Sequence, residues 1–179
     1  MHVNFLINST APLRIHRPHE QFGFRAGHST TLLVAKVTQD AITNFNAGKS
    51  TFLLTLDICR AFDSVWLNGL THKLIYFHHL PPFAVTLLHS YLMNRTSQVR
   101  VDGTLSTTFR YHAGVSQGAV LSSILFNLYL ADFPTDSESK IALFANVAMV
   151  YAQHSAHRQQ KILYKTMSML FFHFVTNGK

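Results

Sequence analysis

A carboxylate at the end of an apolar segment is the first group in this sequence that could do chemistry. Residues 51–57 read Thr-Phe-Leu-Leu-Thr-Leu-Asp, a continuous apolar run that ends in Asp57. Such a run is typical of a strand buried on both faces of a sheet. The carboxylate of Asp57 is then expected at the end of that sheet. It can bind a divalent cation there, or it can merely cap the strand, and the run alone leaves both interpretations open.

Thiol and imidazole groups are the other candidates, and both favour ordinary structural roles. Cys59 is the single cysteine, which excludes an internal disulfide and fits a reducing compartment. The chain has 12 histidines, including the pairs His16-x-x-His19 and His154-x-x-His157. Because neither pair has a cysteine in its own segment, surface histidines are favoured over a zinc site.

The elements that must position Asp57 alternate between helices and strands. Apolar periodicity, together with Ser, Gly and Pro at segment ends, predicts helices over about 29–46, 64–77, 82–92, 117–131 and 154–175. Strands are predicted over 51–57, 98–103, 141–145 and 148–152, with a turn at Asp102-Gly103. Asn146 and Val147 separate the last two strands, which therefore form a hairpin. This order predicts an α+β fold with an antiparallel sheet.

Apolar residues at helical spacing are expected to face the core. In the first three predicted helices these are Leu33, Val37, Ala41 and Phe45, then Trp66, Leu70, Leu74 and Phe77, and then Leu87, Leu88, Tyr91 and Leu92. The helix predicted over 117–131 is apolar nearly all round, so we expect it to be buried.

Composition and charge limit the class of protein. With 179 residues, 47% apolar types and 13% charged types, the chain is too apolar for disorder and is expected to be poorly soluble in isolation. Residues 1–20 read as an irregular lead-in and 21–179 as one domain. The formal charge of +7 permits a nucleic-acid partner. With no apolar run near the roughly 18 residues of a membrane span and no secretory pattern, no membrane partner and an intracellular location are expected.

Five segments share the residue types, order and spacing of one family's motifs. They are Gln21-Phe-Gly-Phe-Arg-Ala-Gly-His-Ser-Thr-Thr31, Leu56-Asp-Ile-Cys-Arg-Ala-Phe-Asp-Ser-Val-Trp66, Arg95-Thr-Ser-Gln-Val-Arg-Val-Asp-Gly103, Ala113-Gly-Val-Ser-Gln-Gly-Ala-Val-Leu-Ser122 and Leu143-Phe-Ala-Asn-Val147. Together they resemble the reverse transcriptases of non-LTR (LINE-type) retrotransposons, and jockey-type elements most of all. The resemblance covers about residues 21–152.

The resemblance implies a fold, an activity and a set of ligands. The implied fold is a fingers-palm fragment of a right-hand polymerase, with an antiparallel palm sheet backed by helices and without a thumb. The implied activity is RNA-directed DNA polymerisation, with an RNA template, a DNA primer, deoxynucleotides and Mg²⁺. In that chemistry two divalent metals about 3.5–4 Å apart stabilise the attacking and leaving oxygens, and holding them requires several carboxylates.

The resemblance also implies roles for individual residues. Asp57 would be the first metal-binding carboxylate, and the Ile58 carbonyl would be a backbone ligand. Phe62 stands where the family keeps an aromatic residue that blocks the 2′-hydroxyl, although a core position is the alternative. The other implied contacts are Gln117 and Gly118 against the nucleotide and template, and Arg25 in the fingers. Asp63 is expected to cap a helix rather than to bind a metal.

Departures from the family pattern decide the expected activity. Asn146 and Val147 occupy the positions of the two hairpin acids, and no Asp or Glu follows Glu138. Asp57 alone would face two dications, so Mg²⁺ is not expected to bind productively and the chain is predicted to be inactive. Ser116, Ala119 and Ser123 depart from the family as well.

Three interpretations follow. The chain is a degenerate element remnant, a non-catalytic nucleic-acid-binding module, or a residual enzyme that uses Asp57 and Asn146. For the second interpretation, the candidate phosphate contacts lie in or beside the motifs, and they are Arg25, Lys49, Arg60, Arg95 and Arg100. The oligomeric state is not predicted.

Overall fold

The computed structural model describes residues 20–133, 139–154 and 165. Its helices are α1 (Thr30–Asn46), α2 (Leu67–Tyr76), α3 (Pro82–Leu92) and α4 (Val120–Tyr129). Its strands are β1 (Ser50–Asp57), β2 (Thr96–Ser97), β3 (Arg100–Val101), β4 (Thr104–Leu105), β5 (Phe109–Arg110), β6 (Lys140–Phe144) and β7 (Val147–His154). The predicted α+β class and antiparallel pairing are confirmed. Apart from residues 20, 154 and 165, the predicted lead-in and C-terminal helix lie outside the described residues.

The chain divides into two compact units. We call residues 62–129 the helical unit, and the described residues of 20–61 and 130–154 the sheet unit. Among the described helices of both, none has the length and apolar character needed to cross a membrane.

The sheet unit is a three-stranded antiparallel sheet in the order β1-β7-β6, with α1 packed against it. Ser29 caps α1, as predicted, because its side chain accepts a hydrogen bond from the Leu32 N–H. The core joins the sheet and the helix through Phe22, Leu33, Ala142 and Tyr151.

Two predictions for the sheet unit are wrong in detail. The strand buried on both faces is β7, where the adjacent residues Val150 and Tyr151 are each only 2% exposed, whereas β1 is half exposed because it lies at the edge of the described sheet. Phe45, expected in the core, is 78% exposed. It lies in the last turn of α1, where helical spacing continues after packing against the sheet has ended.

The hairpin turn also differs from its prediction by one residue. Ala145 and Asn146 form the turn, and Val147 begins β7. This register places Val147 opposite both Phe144 and Asp57. It suits the side chains, because β-branched valine favours a strand and asparagine favours a turn.

The helical unit is built on α2, which packs against α3 and α4. The predicted turn at Asp102-Gly103 is confirmed between β3 and β4. Helix α3 buries Ala84, Val85 and Leu92, so Leu87 and Tyr91, expected inside, are exposed.

The ends of α2 and α4 also differ from their predictions. Trp66 and Phe77 flank α2 and are partly exposed, while Leu70 and Leu74 are buried as expected. Helix α4 begins at Val120 rather than at Gln117. Positive φ at Gly118 marks a turn before the helix, because this conformation does not continue an α-helix.

Candidate active site

Antiparallel pairing of β1 with β7 brings the end of β1 to the hairpin turn. Asp57 lies opposite Val147 in the register, and the Ile58 N–H donates a 2.9 Å hydrogen bond to the Asn146 carbonyl. A side-chain hydrogen bond joins the same two segments, because Asn146 Nδ2 donates to Asp57 Oδ1 at 2.5 Å. The structure therefore brings together the first predicted acid and the turn that departs from the family pattern.

The Asn146 side chain gives Asp57 a neutral hydrogen-bond donor. An amide carries both N–H donors and a carbonyl acceptor, whereas an ionised carboxylate only accepts. The amide nitrogen therefore faces the carboxylate, and a hydrogen occupies the position nearest Asp57 Oδ1. A cation ligand there would have to supply an oxygen, so this contact opposes metal binding.

The donor set at the strand end does not fit a pair of divalent metals. Divalent magnesium prefers oxygen ligands and is bound mainly through carboxylates. Asp57 supplies one carboxylate, Asn146 presents its N–H, and Val147 has an aliphatic side chain. In the described parts of the chain, no three His, Cys, Asp or Glu side chains form a group that could hold a metal ion.

The segment before α1 contacts the other side of the hairpin turn, which the sequence did not predict. Gln21 is buried, and its Oε1 accepts a hydrogen bond from the Ala145 N–H. Arg25 lies in the same segment, half-buried, with Nη1 3.5 Å from the Gln21 carbonyl. The likeness of the segment from Gln21 to Thr31 to the family motif is visible in the sequence, but its contact with the turn is not.

The helical unit contains a cleft of about 690 Å³, and Gln117 lies in its wall. Gln117 Nε2 donates to both carboxylate oxygens of Asp63, at 3.1 and 3.3 Å. The lining combines polar and apolar surface and comprises Asp63, Arg95, Thr96, Ser97, Tyr111, Ala113, Gly114, Val115, Ser116 and Gln117. The expectation that Asp63 caps α2 is wrong, because Trp66 is the residue at that position.

Phe62 packs inside the helical unit. Its ring stacks on Phe126 of α4, with centroids 4.8 Å apart and planes 16° from parallel, and the residue is half-buried. The Phe62 carbonyl also accepts a 2.7 Å hydrogen bond from the Val115 N–H. These contacts support a core role, and the predicted selection against a 2′-hydroxyl stays a prediction.

Arg95 holds several parts of the cleft wall together by hydrogen bonds. Its guanidinium donates to Ser116 Oγ at 2.8 Å, to the Leu92 carbonyl at 3.1 Å and to the Gly114 carbonyl. It also lies over the Tyr111 ring, 5.5 Å from the centroid. These bonds, which we call the Arg95 clamp, lie within the helical unit. They argue against the predicted use of Arg95 as a phosphate contact.

An electrostatic network of the sheet unit lies away from Asp57 and is centred on Asp40. Asp40 on α1 accepts hydrogen bonds from Lys140 Nζ at 2.9 Å and from the Tyr151 hydroxyl at 2.8 Å. The bond from Lys140 is the main reason why the pKa of Asp40 lies below its usual value. Burial, followed by the bond to Asp40, raises the pKa of Tyr151, so the phenol stays a donor.

Comparison with known protein families accounts for the five motif segments of the sequence. The family model described as reverse transcriptase (RNA-dependent DNA polymerase) matches residues 5–171. The chain belongs to the reverse transcriptase family. The predicted resemblance is therefore confirmed.

Curated relatives of this reverse transcriptase domain come from mobile elements. The chain is 38% identical over 146 residues to the probable RNA-directed DNA polymerase from transposon X-element of Drosophila melanogaster, covering 78% of this chain and 16% of that protein. It is 36% identical over 118 residues to the RNA-directed DNA polymerase from mobile element jockey of the same species, covering 66% and 13%. The chain thus spans less than a fifth of either relative.

Solved structures confirm the predicted polymerase fold. The chain is similar to apo telomerase from Candida tropicalis, with a TM-score of 0.60 and 15% identity over 83% of this chain and 32% of that one. Telomerase from Candida albicans matches with the same TM-score, 12% identity, and 89% and 30% coverage. At these identities the likeness concerns the fold alone, which is an α+β fingers-palm fragment.

Proposed function

We propose that this chain is a reverse transcriptase domain of jockey-like descent that lacks polymerase activity. The observation that carries the proposal is the 2.5 Å hydrogen bond from Asn146 to Asp57. Two-metal polymerisation needs oxygen ligands at this strand end to hold the metal that activates the 3′-hydroxyl. Here the carboxylate is already bound to a neutral donor, and the neighbouring Val147 offers no ligand.

The two missing negative charges should weaken metal binding strongly. Two acids facing two dications would contribute strongly favourable electrostatic energy even at an effective dielectric near about 20. Asn146 and Val147 contribute no charge. Family members use Mg²⁺, whereas the proposed outcome for this chain is that Asp57 does not hold the ion productively.

Primer extension tests the proposal. The full chain is incubated with an RNA template, an annealed DNA primer, deoxynucleotides and Mg²⁺ or Mn²⁺. The Asp57→Ala variant is the matched control, and an active family member verifies the assay. We expect no extension above the Asp57→Ala background with either metal. Template-dependent extension that disappears in Asp57→Ala would contradict the proposal.

Binding of nucleic acid without catalysis is the second candidate function, and the charge distribution supports it. The chain carries a formal charge of +7, and Lys49, Arg60 and Arg100 are exposed. Phosphate contacts depend on such side chains and not on metal-binding acids. The RNA template and DNA primer of the family are the corresponding ligands.

Salt dependence of RNA binding tests this second function. With Arg95 held internally, about three or four remaining contacts predict a slope of roughly −2 to −3 for the logarithm of the association constant against log salt. Anisotropy of a labelled RNA oligonucleotide measures it. Arg100→Ala should make the slope shallower by about 0.7, whereas Lys36→Ala, an exposed change outside the motifs, should not. Absence of binding at low salt would leave only a remnant without this function.

A further inference from the structure

We propose that Gln21 and Gly23 are positioning residues that hold the Ala145-Asn146 turn against the end of β1. The segment that contains them runs beside the sheet, with a parallel bridge between Gln21 and Leu143. Backbone hydrogen bonds of 2.7 Å, from Phe22 N–H to the Leu143 carbonyl and from Leu143 N–H to the Glu20 carbonyl, fix this segment to β6. It therefore moves with the strand that leads into the turn.

The side chain of Gln21 reaches the turn directly. Its Oε1 accepts hydrogen bonds from the N–H groups of Gly23, at 2.8 Å, and Ala145, at 3.2 Å. Gln21 is only 1% exposed. One buried oxygen thus joins two backbone segments that lie more than a hundred residues apart in the sequence.

The other end of the Gln21 amide shows that packing alone does not account for this residue. Within the described residues, Gln21 Nε2 is buried and has no hydrogen-bond partner. A buried donor without a partner costs about 1–3 kcal/mol. Methionine has a similar shape and would avoid that cost. The feature that distinguishes glutamine here is the acceptor oxygen that Ala145 uses.

Gly23 allows the approach that this bond requires. A Cβ atom at position 23 would lie 2.2 Å from the Ala145 nitrogen and 3.0 Å from its Cα. Both are backbone atoms, so they could not move aside without moving the turn. Glycine therefore leaves the space into which the turn packs.

The turn needs such support because its first residue is strained. Ala145 has a φ of 53°, in the left-handed region that non-glycine residues occupy rarely and at a cost. The next residue, Asn146, makes the backbone and side-chain bonds to Ile58 and Asp57. Contacts of Gln21 and Gly23 with Ala145 thus set where position 146 lies relative to the Asp57 carboxylate. This inference holds whether or not the chain catalyses a reaction.

Hydrogen exchange of the full chain tests the inference. In Gln21→Met, which removes the acceptor, we expect exchange of the 144–146 turn and of the Ile58 amide to rise by about tenfold or more, as local opening does. Exchange at Val150 and Tyr151 should stay unchanged. Gly23→Ala should give the same local pattern by displacing Ala145, and it serves as an independent second variant.

Two matched variants separate positioning from general stability. Leu33→Ala removes a side chain from the core between α1 and the sheet, so exchange should rise across the whole sheet. Gln21→Glu keeps an acceptor oxygen but buries a carboxyl, so Tm should fall while the turn stays protected. The inference is overturned if Gln21→Met and Gly23→Ala leave turn exchange at the wild-type rate, or if they raise it evenly across the sheet as Leu33→Ala does.

Discussion

Asn146 shows how one side chain changes the chemistry of a strand end. It preserves the hairpin, because its backbone carbonyl binds Ile58 and asparagine suits a turn. At the same time its amide gives the Asp57 carboxylate a neutral partner. Folding and metal binding therefore make separate demands on position 146, and this chain meets the first.

Asp40 gives a pH-dependent prediction at the same scale. Its pKa is lowered in the folded state, mainly by the hydrogen bond from Lys140. This contribution to stability is therefore present above the unfolded value near 3.8 and is lost as the pH falls through the lower folded value. Asp40→Asn should cost about 1 kcal/mol at neutral pH, a modest value because Lys140 is solvent exposed.

Urea unfolding at several pH values measures the Asp40 effect. The difference in unfolding free energy between wild type and Asp40→Asn should shrink as the pH falls from about 5 to below the unfolded pKa of 3.8. Thr104→Ala, an exposed change in β4 that alters no titratable group, is the control and should show no such dependence. A wild-type to Asp40→Asn difference that stays constant with pH would contradict the assignment.

Among the elements, the segment from Tyr111 to Gln117 depends on distant contacts for its shape. Its backbone is bound at Gly114 N–H by the Val65 carbonyl, at 2.8 Å, and at Val115 N–H by the Phe62 carbonyl. Arg95 adds the bonds to Ser116 and Gly114. Ser116, which departs from the family pattern, is thus held through its hydroxyl by Arg95.

Removing the Arg95 clamp should destabilise the segment from Tyr111 to Gln117. Arg95→Met keeps much of the aliphatic stem but leaves the Gly114 carbonyl and Ser116 hydroxyl without this donor. The free energy of unfolding should fall by about 2–3 kcal/mol. Arg100→Met, at an exposed strand position, should change it by less than about 0.5 kcal/mol. Equal effects of the two variants in chemical unfolding would show that Arg95 is not a clamp.

Local signals predicted several elements because their causes lie within a few residues. Ser29 caps α1 through a bond three residues away, and Asp102-Gly103 forms the turn between β3 and β4. The partial exposure of β1 and the exposure of Phe45 could not be predicted from such local signals. Both depend on which elements pack nearby, and apolar patterning does not encode the position of a strand within its sheet.

Local sequence patterns also do not predict the contacts of the candidate site. Asp57 and Asn146 were expected to meet only because of the family resemblance, and the structure joins them by a direct bond. The contact between Gln21 and Ala145 spans 124 positions of the sequence and leaves no local pattern. Neither could be read from periodicity, because a buried polar contact depends on tertiary geometry.

Across the whole molecule, many large apolar side chains are exposed. Phe45, Phe83 and Val120 each exceed 60% exposure, and only 13% of residues are charged. Exposed apolar patches promote association. We therefore expect the isolated chain to bind a hydrophobic fluorescent dye in its native state and to associate at high concentration. A monomeric elution profile at all concentrations, without dye binding, would contradict this expectation.

Calorimetric titration with Mg²⁺ measures whether the end of β1 binds a divalent metal. We expect no saturable binding to the wild-type chain, whereas Asn146→Asp combined with Val147→Asp should raise the affinity by about tenfold or more, since added carboxylates supply charge and oxygen ligands. Adding Asp57→Asn to that variant should remove the gain. Wild-type binding as tight as that of the double variant, or a gain that does not require Asp57, would contradict the claim that Asn146 and Val147 prevent metal binding at this strand end.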